Sequence, residues 1–190
     1  STWAAEPRRD EDLRRQSHEA LLRATRFLVE EVSTRGGYLW RFLPDLSRRW
    51  GEMEAYDTQI AVQPPGTPTM GQVFLEAYRA TGDERFYEAA AGAARALVAG
   101  QLESGGWHYL IDFDGEPSLR RWHDTIGRNG WRLEEQQTYH ANGTFDDNVT
   151  ADATRFLLRI YLEKRDPAFK GPLDKALAFV LESQYRNGGW

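Results

Sequence analysis

The chain has 190 residues, of which 41% are hydrophobic and 28% charged, with a formal net charge of −5 and no cysteine. We therefore expect one globular domain over residues 1–190, without disulfides or thiolate metal sites. The negative charge argues against nucleic-acid binding and no apolar run is long enough to span a membrane, so neither is an expected partner.

Apolar residues at helical spacing predict five helices in chain order. The first covers about residues 11–34. A second helix begins at Thr69, and a third follows the polar turn at 81–84. The same pair then recurs, with a helix that begins at Thr150 and a partner that follows the turn at 164–167. The chain thus contains an internal repeat of a helical hairpin.

Each hairpin ends in a Gly-Gly-Trp turn, at residues 101–107 and again at 184–190. Long loops at 39–66 and 108–147 connect the units, and their Trp, Tyr and Arg content favours ordered loops that form a site. Loops that emerge at the same phase of each unit predict an all-α fold, an α/α toroid with its loops around a groove. A plain α-helical array is the alternative. The chain ends inside the recurring motif, so we expect an incomplete toroid and a fragment.

Two further expectations concern the loops. Residues 38–40 follow a further Gly-Gly pair at 36–37, and residues 108–111 follow the closing turn at 101–107; we expect the two segments to pair as short strands. His108, His123 and His140 show no metal-ligand spacing, so a transition-metal site is not expected.

The segment Thr-Phe-Asp-Asp-Asn-Val-Thr at residues 144–150 is the strongest candidate for a functional site. The corresponding approach to the helix in the first unit, Pro-Gly-Thr-Pro at 65–68, has no carboxylate. Because the scaffold accepts both versions, we expect the acidic one to do chemistry. The alternative is helix capping, worth about 1 kcal/mol. We expect Asp146 to face the groove and Asp147 or Asn148 to cap.

These motifs together resemble the catalytic module of family 10 pectate lyases. The resemblance rests on the acidic segment at 144–150, Arg-Phe-Leu at 155–157 and the closing turn at 182–190. The earlier Gly-Gly-Trp turn, with the Ile-Asp that follows it at 111–112, is similar to another motif of that family. The resemblance covers residues 68–190.

This resemblance implies a toroid that cleaves polygalacturonate or a related acidic polysaccharide by Ca²⁺-assisted β-elimination. It makes Asp146 a catalytic-site and calcium residue, with Asp147 and Asn148 as further oxygen ligands of the kind Ca²⁺ prefers. We expect a secreted or periplasmic monomer. The family's Pro-Lys is replaced by His-Tyr at 108–109. The family's catalytic Arg lies downstream of Trp190, so the base is not identified.

Candidate substrate-binding residues lie in and beside the second long loop. Trp107 and Tyr109 are candidates for stacking on sugar faces, with core packing as the alternative for Trp107. Arg120 and Arg121 are candidates for pairing with uronate carboxylates, with a solvated loop surface as the alternative. For Arg155 we expect a structural ion pair rather than the catalytic base.

Two other functions remain open. One is a non-catalytic helical module that binds acidic polysaccharide in the same groove. The other is a toroid glycoside hydrolase, which needs two carboxylates about 5–10 Å apart. Its candidate carboxylates in the second loop are Asp112, Asp114, Glu116, Asp124, Glu134 and Glu135.

Overall fold

A computed structural model describes residues 7–130 and 142–190. The helices in these ranges are α1 Pro7–Phe27, α2 Thr67–Thr81, α3 Glu84–Ala99, α4 Glu116–Thr125, α5 Val149–Lys164 and α6 Pro167–Glu182. A π-helical turn at Leu28–Val32 continues α1, and 3-10 turns cover Gly127–Asn129 and Asp146–Asn148. No helix in the described ranges has both the length and the apolar character needed to cross a membrane.

Helices α2 and α3 form one hairpin, and α5 and α6 form a second one beside it. Asp83 caps α3 by accepting a hydrogen bond from the N–H of Arg85 at 3.1 Å, and Asp166 caps α6 through the N–H of Ala168 at 2.9 Å. Helix α2 packs against α5, and α3 packs against α1, α5 and α6. The predicted hairpins are therefore present.

The core lies between these hairpins. Phe74 of α2, Phe86 of α3 and Phe156 of α5 are at most 2% exposed, as their helical spacing predicts, but Val73 of the same α2 pattern is 47% exposed. Leu13 of α1 and Leu181 of α6 belong to the apolar patterns that predicted these helices, yet they are 62% and 70% exposed. A helical apolar pattern thus does not by itself establish that a described neighbour covers it.

The two closing turns repeat the same contacts. Trp107 and Trp190 are 83 positions apart, and their indole N–H groups donate to the carbonyls of Leu97 at 2.8 Å and Val180 at 2.9 Å. Gly105 has φ +102°, and a side chain there would come within 2.3 Å of the next hairpin's backbone. The repeat in the sequence is therefore a repeat of hydrogen bonds, and its turn requires glycine.

A hydroxyl at the start of each hairpin fixes the register of the repeat. Thr67 Oγ1 accepts from the N–H of Tyr38 at 2.9 Å, and Thr150 Oγ1 accepts from the N–H of Trp107 at 3.2 Å. Thr67, which is buried, is therefore the equivalent of Thr150. The expected helix start at Thr69 was wrong by two residues.

The described parts of the long loops contain five short strands. Strands β1 Arg41–Phe42, β2 Arg49–Trp50 and β3 Glu54–Ala55 form an antiparallel sheet. Strand β4 Gln59–Ala61 pairs antiparallel with β5 Leu110–Asp112.

The expected pairing of residues 38–40 with 108–111 is wrong. Residues 59–62 lie between the two segments, because the N–H of Ala61 donates to the carbonyl of Tyr38 and the N–H of Val62 donates to that of Tyr109. The first loop thus contributes the middle strand of this contact.

Helix α4 was not predicted. It starts after Gly115, which has φ 84°, and it carries a proline in its first turn. Only Ser118, Trp122 and His123 are buried in it, so its apolar pattern is too short to predict a helix.

Candidate functional site

The acidic segment is fixed to the core on both sides. The N–H of Thr144 donates to the carbonyl of Trp107 at 2.9 Å, and the hydroxyl of Thr150 accepts from the N–H of the same tryptophan. Phe145 stacks on Phe179 of α6, with 5.3 Å between the ring centroids. Between these anchors Asp146, Asp147 and Asn148 are exposed to solvent, whereas Val149 is buried.

The backbone of this segment is strained. Asp147 and Asn148 have φ values of 48° and 60°, in the left-handed region that costs a non-glycine residue roughly 1 kcal/mol or more. The N–H of Asp146 donates to Thr144 Oγ1 at 3.0 Å, and the N–H of Asp147 donates to Asp146 Oδ1 at 3.0 Å. Such strain in an exposed segment is typical of functional sites.

The expected capping by this segment is wrong. Although Asn148 occupies the N-cap position of α5, its side chain makes no capping hydrogen bond with the described residues. The carboxylate of Asp147 turns instead toward the first loop, where it accepts a hydrogen bond from Gln63. The polar side chains at this helix start are therefore not explained by capping.

Two nearly buried side chains donate to the two carboxylates. Tyr109 Oη donates to Asp146 Oδ2 at 2.7 Å, and Gln63 Nε2 donates to Asp147 Oδ2 at 2.7 Å. Gln63 is 8% exposed and Tyr109 is 5% exposed, and the backbone N–H of the glutamine donates to the carbonyl of the tyrosine at 3.3 Å. Trp40 Nε1 in turn donates to the carbonyl of Gln63 at 3.0 Å. Gln63 and Tyr109 are thus hydrogen-bonded to each other as well as to the two carboxylates.

Gln63 was not among the predicted site residues. With Thr67 equivalent to Thr150, it stands at the repeat position of Asp146, and the approach equivalent to 146–149 is Gln-Pro-Pro-Gly at 63–66. The 83-residue spacing between the closing turns predicts this equivalence of Gln63 and Asp146 from the sequence. The shifted approach still lacks a carboxylate, so the contrast between the two units remains.

The aromatic candidates do not present ring faces to a sugar. Trp107 is fully buried and its indole N–H is bound to Leu97, so substrate stacking is wrong for it and the core-packing alternative is confirmed. Tyr109 is buried too, and its hydroxyl contacts Asp146. Its contribution is to orient a carboxylate.

The structure separates the two candidate arginines. Arg120 forms an ion pair with Glu116 and lines a cavity of about 520 Å³ next to β5. Arg121 lines a different cavity of about 480 Å³, together with Arg48 and Arg49 of the first loop. Asp146 lines neither of these two cavities.

Other candidates have structural contacts or lie outside the described residues. Arg155 forms an ion pair with Asp152 at 2.6 Å, as expected. Asp112 accepts a hydrogen bond from Gln59 at 3.0 Å. Asp114 and Asp124 are exposed, while His108 and His123 are buried with their ring centroids 5.3 Å apart. Glu134, Glu135 and His140 lie outside the described residues.

The donor set of the acidic segment fits a hard cation. Within residues 7–130 and 142–190, no group of three or more His, Asp or Glu is arranged around a metal position. Asp146 and Asp147 nevertheless supply two exposed carboxylates, and Asn148 supplies an exposed amide. A carboxylate oxygen that accepts one hydrogen bond keeps a second lone pair. Calcium takes six to eight oxygen ligands, so water and substrate would complete its shell.

Comparison with known proteins first gives a family likeness over the second part of the chain. The family model of pectic acid lyases matches residues 118–190, which include the acidic segment and the second closing turn. No curated protein matches the chain.

Two solved structures then give the fold. The chain is similar to a family 10 polysaccharide lyase from Cellvibrio cellulosa, with 19% identity and a TM-score of 0.54 over 86% of this chain and 47% of that chain. A mutant of that lyase in complex with trigalacturonic acid matches over the same shares with a TM-score of 0.53. The chain therefore spans about half the length of the structures it matches. The predicted resemblance to family 10 pectate lyases and the α/α toroid class are confirmed.

Proposed function

We propose that this chain is part of a pectate-type polysaccharide lyase and carries its calcium-binding segment. The observation that supports this most is the strained, exposed turn in which Asp146 and Asp147 are held by Tyr109 and Gln63. This turn lies within the region that the pectic acid lyase family model matches. The proposed substrate is polygalacturonate or a related acidic polysaccharide. The protein would act as a monomer outside the cell or in the periplasm.

The reaction is a β-elimination across C4 and C5 of a uronate, which requires removal of a weakly acidic proton from C5. Calcium bound at this segment would act as a Lewis acid on the C6 carboxylate of the sugar. Asp146, Asp147 and Asn148 are the residues that would hold it.

The residues behind the segment keep the two acids in place. Two adjacent carboxylates repel each other when no cation is present. The hydroxyl of Tyr109 and the amide of Gln63 offset this repulsion by donating one hydrogen bond to each carboxylate at 2.7 Å. The segment is thereby prepared for a cation without a large rearrangement.

Product analysis tests the proposal. The chain is mixed with polygalacturonate in added Ca²⁺ and then in a chelator, and the ultraviolet absorbance of an unsaturated uronide is followed. If the base lies within these residues, the proposal predicts calcium-dependent absorbance that Asp146→Ala abolishes and that Asp174→Ala, an exposed acid of α6, leaves unchanged. New reducing ends without absorbance would indicate the hydrolase alternative. Binding of the polymer that needs no calcium and gives neither product would indicate the non-catalytic module, and this result or the hydrolase result would overturn the proposed reaction.

A further inference from the structure

Arginines that are far apart in the sequence meet in one cavity. Arg48 and Arg49 come from β2 and the turn before it, in the first long loop, and Arg121 comes from α4 in the second loop. All three line a cavity of about 480 Å³, together with four hydroxyl-bearing residues, Ser47, Tyr56, Thr58 and Ser118. We call this the arginine cavity.

The walls of the arginine cavity are fixed to each other. Trp122 of α4 is 1% exposed, and its indole N–H donates to the carbonyl of Glu54 in β3 at 2.8 Å. Arg121, its neighbour on α4, lies over the ring of Tyr56 with 5.6 Å from its guanidinium carbon to the ring centroid. Strand β3 pairs with β2, which places Ala55 opposite Arg49. The helix and the sheet therefore hold the arginines in a defined arrangement.

Two of the three arginines have only neutral partners among the described residues. Arg48 forms a two-pronged ion pair with Glu54, at 2.8 and 2.7 Å. Arg49 donates instead to Thr34 Oγ1 at 3.2 Å and to a backbone carbonyl, and Arg121 donates to Ser118 Oγ at 3.4 Å. The cavity thus presents two guanidinium groups that carry no carboxylate from the described chain.

The remaining charges in the arginine cavity define the ligand further. Asp57 and Asp114 also line it, and both are exposed. A simple anion such as phosphate gains from the arginines but is repelled by these acids. A uronate carries one carboxylate, which suits a guanidinium fork, and several hydroxyl groups, which donate to carboxylates. The mixed lining matches the uronate better.

We propose that the arginine cavity is a second uronate-binding site, separate from the calcium-binding segment. The choice of sugar rests on the proposed function, whereas the cavity and its charges do not. Arg49 and Arg121 bind the sugar carboxylate, and Asp57 and Asp114 accept its hydroxyl groups. A polymer chain held here is retained at a point that takes no part in the elimination.

Calorimetric titration with trigalacturonate in the presence of a chelator tests this site, because the proposed calcium-dependent site then holds no calcium and does not contribute to binding. We expect saturable binding that is about tenfold weaker in Arg121→Gln and again in Arg49→Gln, as for loss of one charge-assisted hydrogen bond. Arg95→Gln is the matched control, since Arg95 is an exposed arginine of α3 that lines neither cavity, and its affinity stays within about twofold of the wild type. Arg121 is exposed, so its substitution leaves the fold intact, which a melting curve verifies.

The outcomes separate this site from the proposed reaction. Retained binding by Asp146→Ala in chelator supports an independent site, even if the chain shows no lyase activity. The inference is overturned if trigalacturonate does not bind in chelator, or if both arginine variants bind as tightly as Arg95→Gln. It is also overturned if inorganic phosphate competes as well as galacturonate does, or a neutral galactose trimer binds equally.

Discussion

Replacing Gln63 by glutamate tests the contact behind the acidic segment. Gln63→Glu puts a carboxylate of the same shape where an amide now donates to Asp147 Oδ2 at 2.7 Å. Two unit charges about 4 Å apart repel by about 1 kcal/mol in water and about 4 kcal/mol at an effective dielectric constant of 20. Asp147 is exposed and Gln63 is 8% exposed, so we expect an intermediate repulsion of about 2 kcal/mol.

The matched control is Gln63→Met, which loses the hydrogen bond without adding charge. It should lower the free energy of unfolding by about 1 kcal/mol. Gln63→Glu should lose about 2 kcal/mol more at pH 7 in chelator, which corresponds to a further fall of roughly 4–8 °C in melting temperature for a domain of this size. The difference in stability between Gln63→Glu and Gln63→Met should vanish near pH 3, where the new carboxyl group is protonated.

Thermal unfolding followed by circular dichroism measures both variants. If Asp147 belongs to a calcium site, added Ca²⁺ should raise the melting temperature of Gln63→Glu more than that of the wild type, because a third carboxylate joins the site. The reasoning is refuted if Gln63→Glu is as stable as Gln63→Met at pH 7 in chelator. It is equally refuted if calcium raises the melting temperatures of Gln63→Glu and the wild type by the same amount.

Two more predictions use the repeat as its own control. A hydrogen bond from Arg85 holds the pKa of Asp83 well below its usual range, so its stabilisation is present above the unfolded pKa near 4 and is lost as the pH falls through the folded value. Asp83→Ala should therefore lower the free energy of unfolding by about 2 kcal/mol at pH 7 and by less at pH 2. Asp166→Ala, which removes only a helix cap, should lower it by about 1 kcal/mol. Equal losses for the two variants in urea titrations at pH 7 would contradict this prediction. Trp107→Ala should cost about 3–5 kcal/mol because Trp107 is fully buried, and Trp190→Ala, at a 60% exposed position, much less. Comparable losses of melting temperature would show that burial does not distinguish the two turns.

The sequence was sufficient for the elements that repeat with helical spacing. The two hairpins of α2–α3 and α5–α6 follow from their apolar stripes and their Asp caps. The strands were not predictable, because each has two or three residues and its partner is set by tertiary contacts. Residues 59–62, for example, lie between Tyr38 and Tyr109 and donate hydrogen bonds to the carbonyls of both. No local sequence pattern specifies this arrangement.

The acidic segment could be singled out from the sequence, but the residues that contact its carboxylates could not. Asp146 and Asp147 stood out because the equivalent approach in the first unit has no carboxylate. Gln63 lies 84 positions from the Asp147 that it contacts, and only the corrected repeat register identifies it. Trp107 had the same sequence signal for packing as for sugar binding. Its burial settles the question, and burial is a property of the folded chain.

Calcium titration by isothermal calorimetry in the presence of trigalacturonate tests the central claim most directly. The wild-type chain, Asp146→Asn and the surface control Asp174→Asn are compared at pH 7. The account predicts saturable calcium binding that weakens at least about tenfold in Asp146→Asn and is unchanged in the control. Calcium binding that is absent from the wild type, or equal in Asp146→Asn, would contradict it.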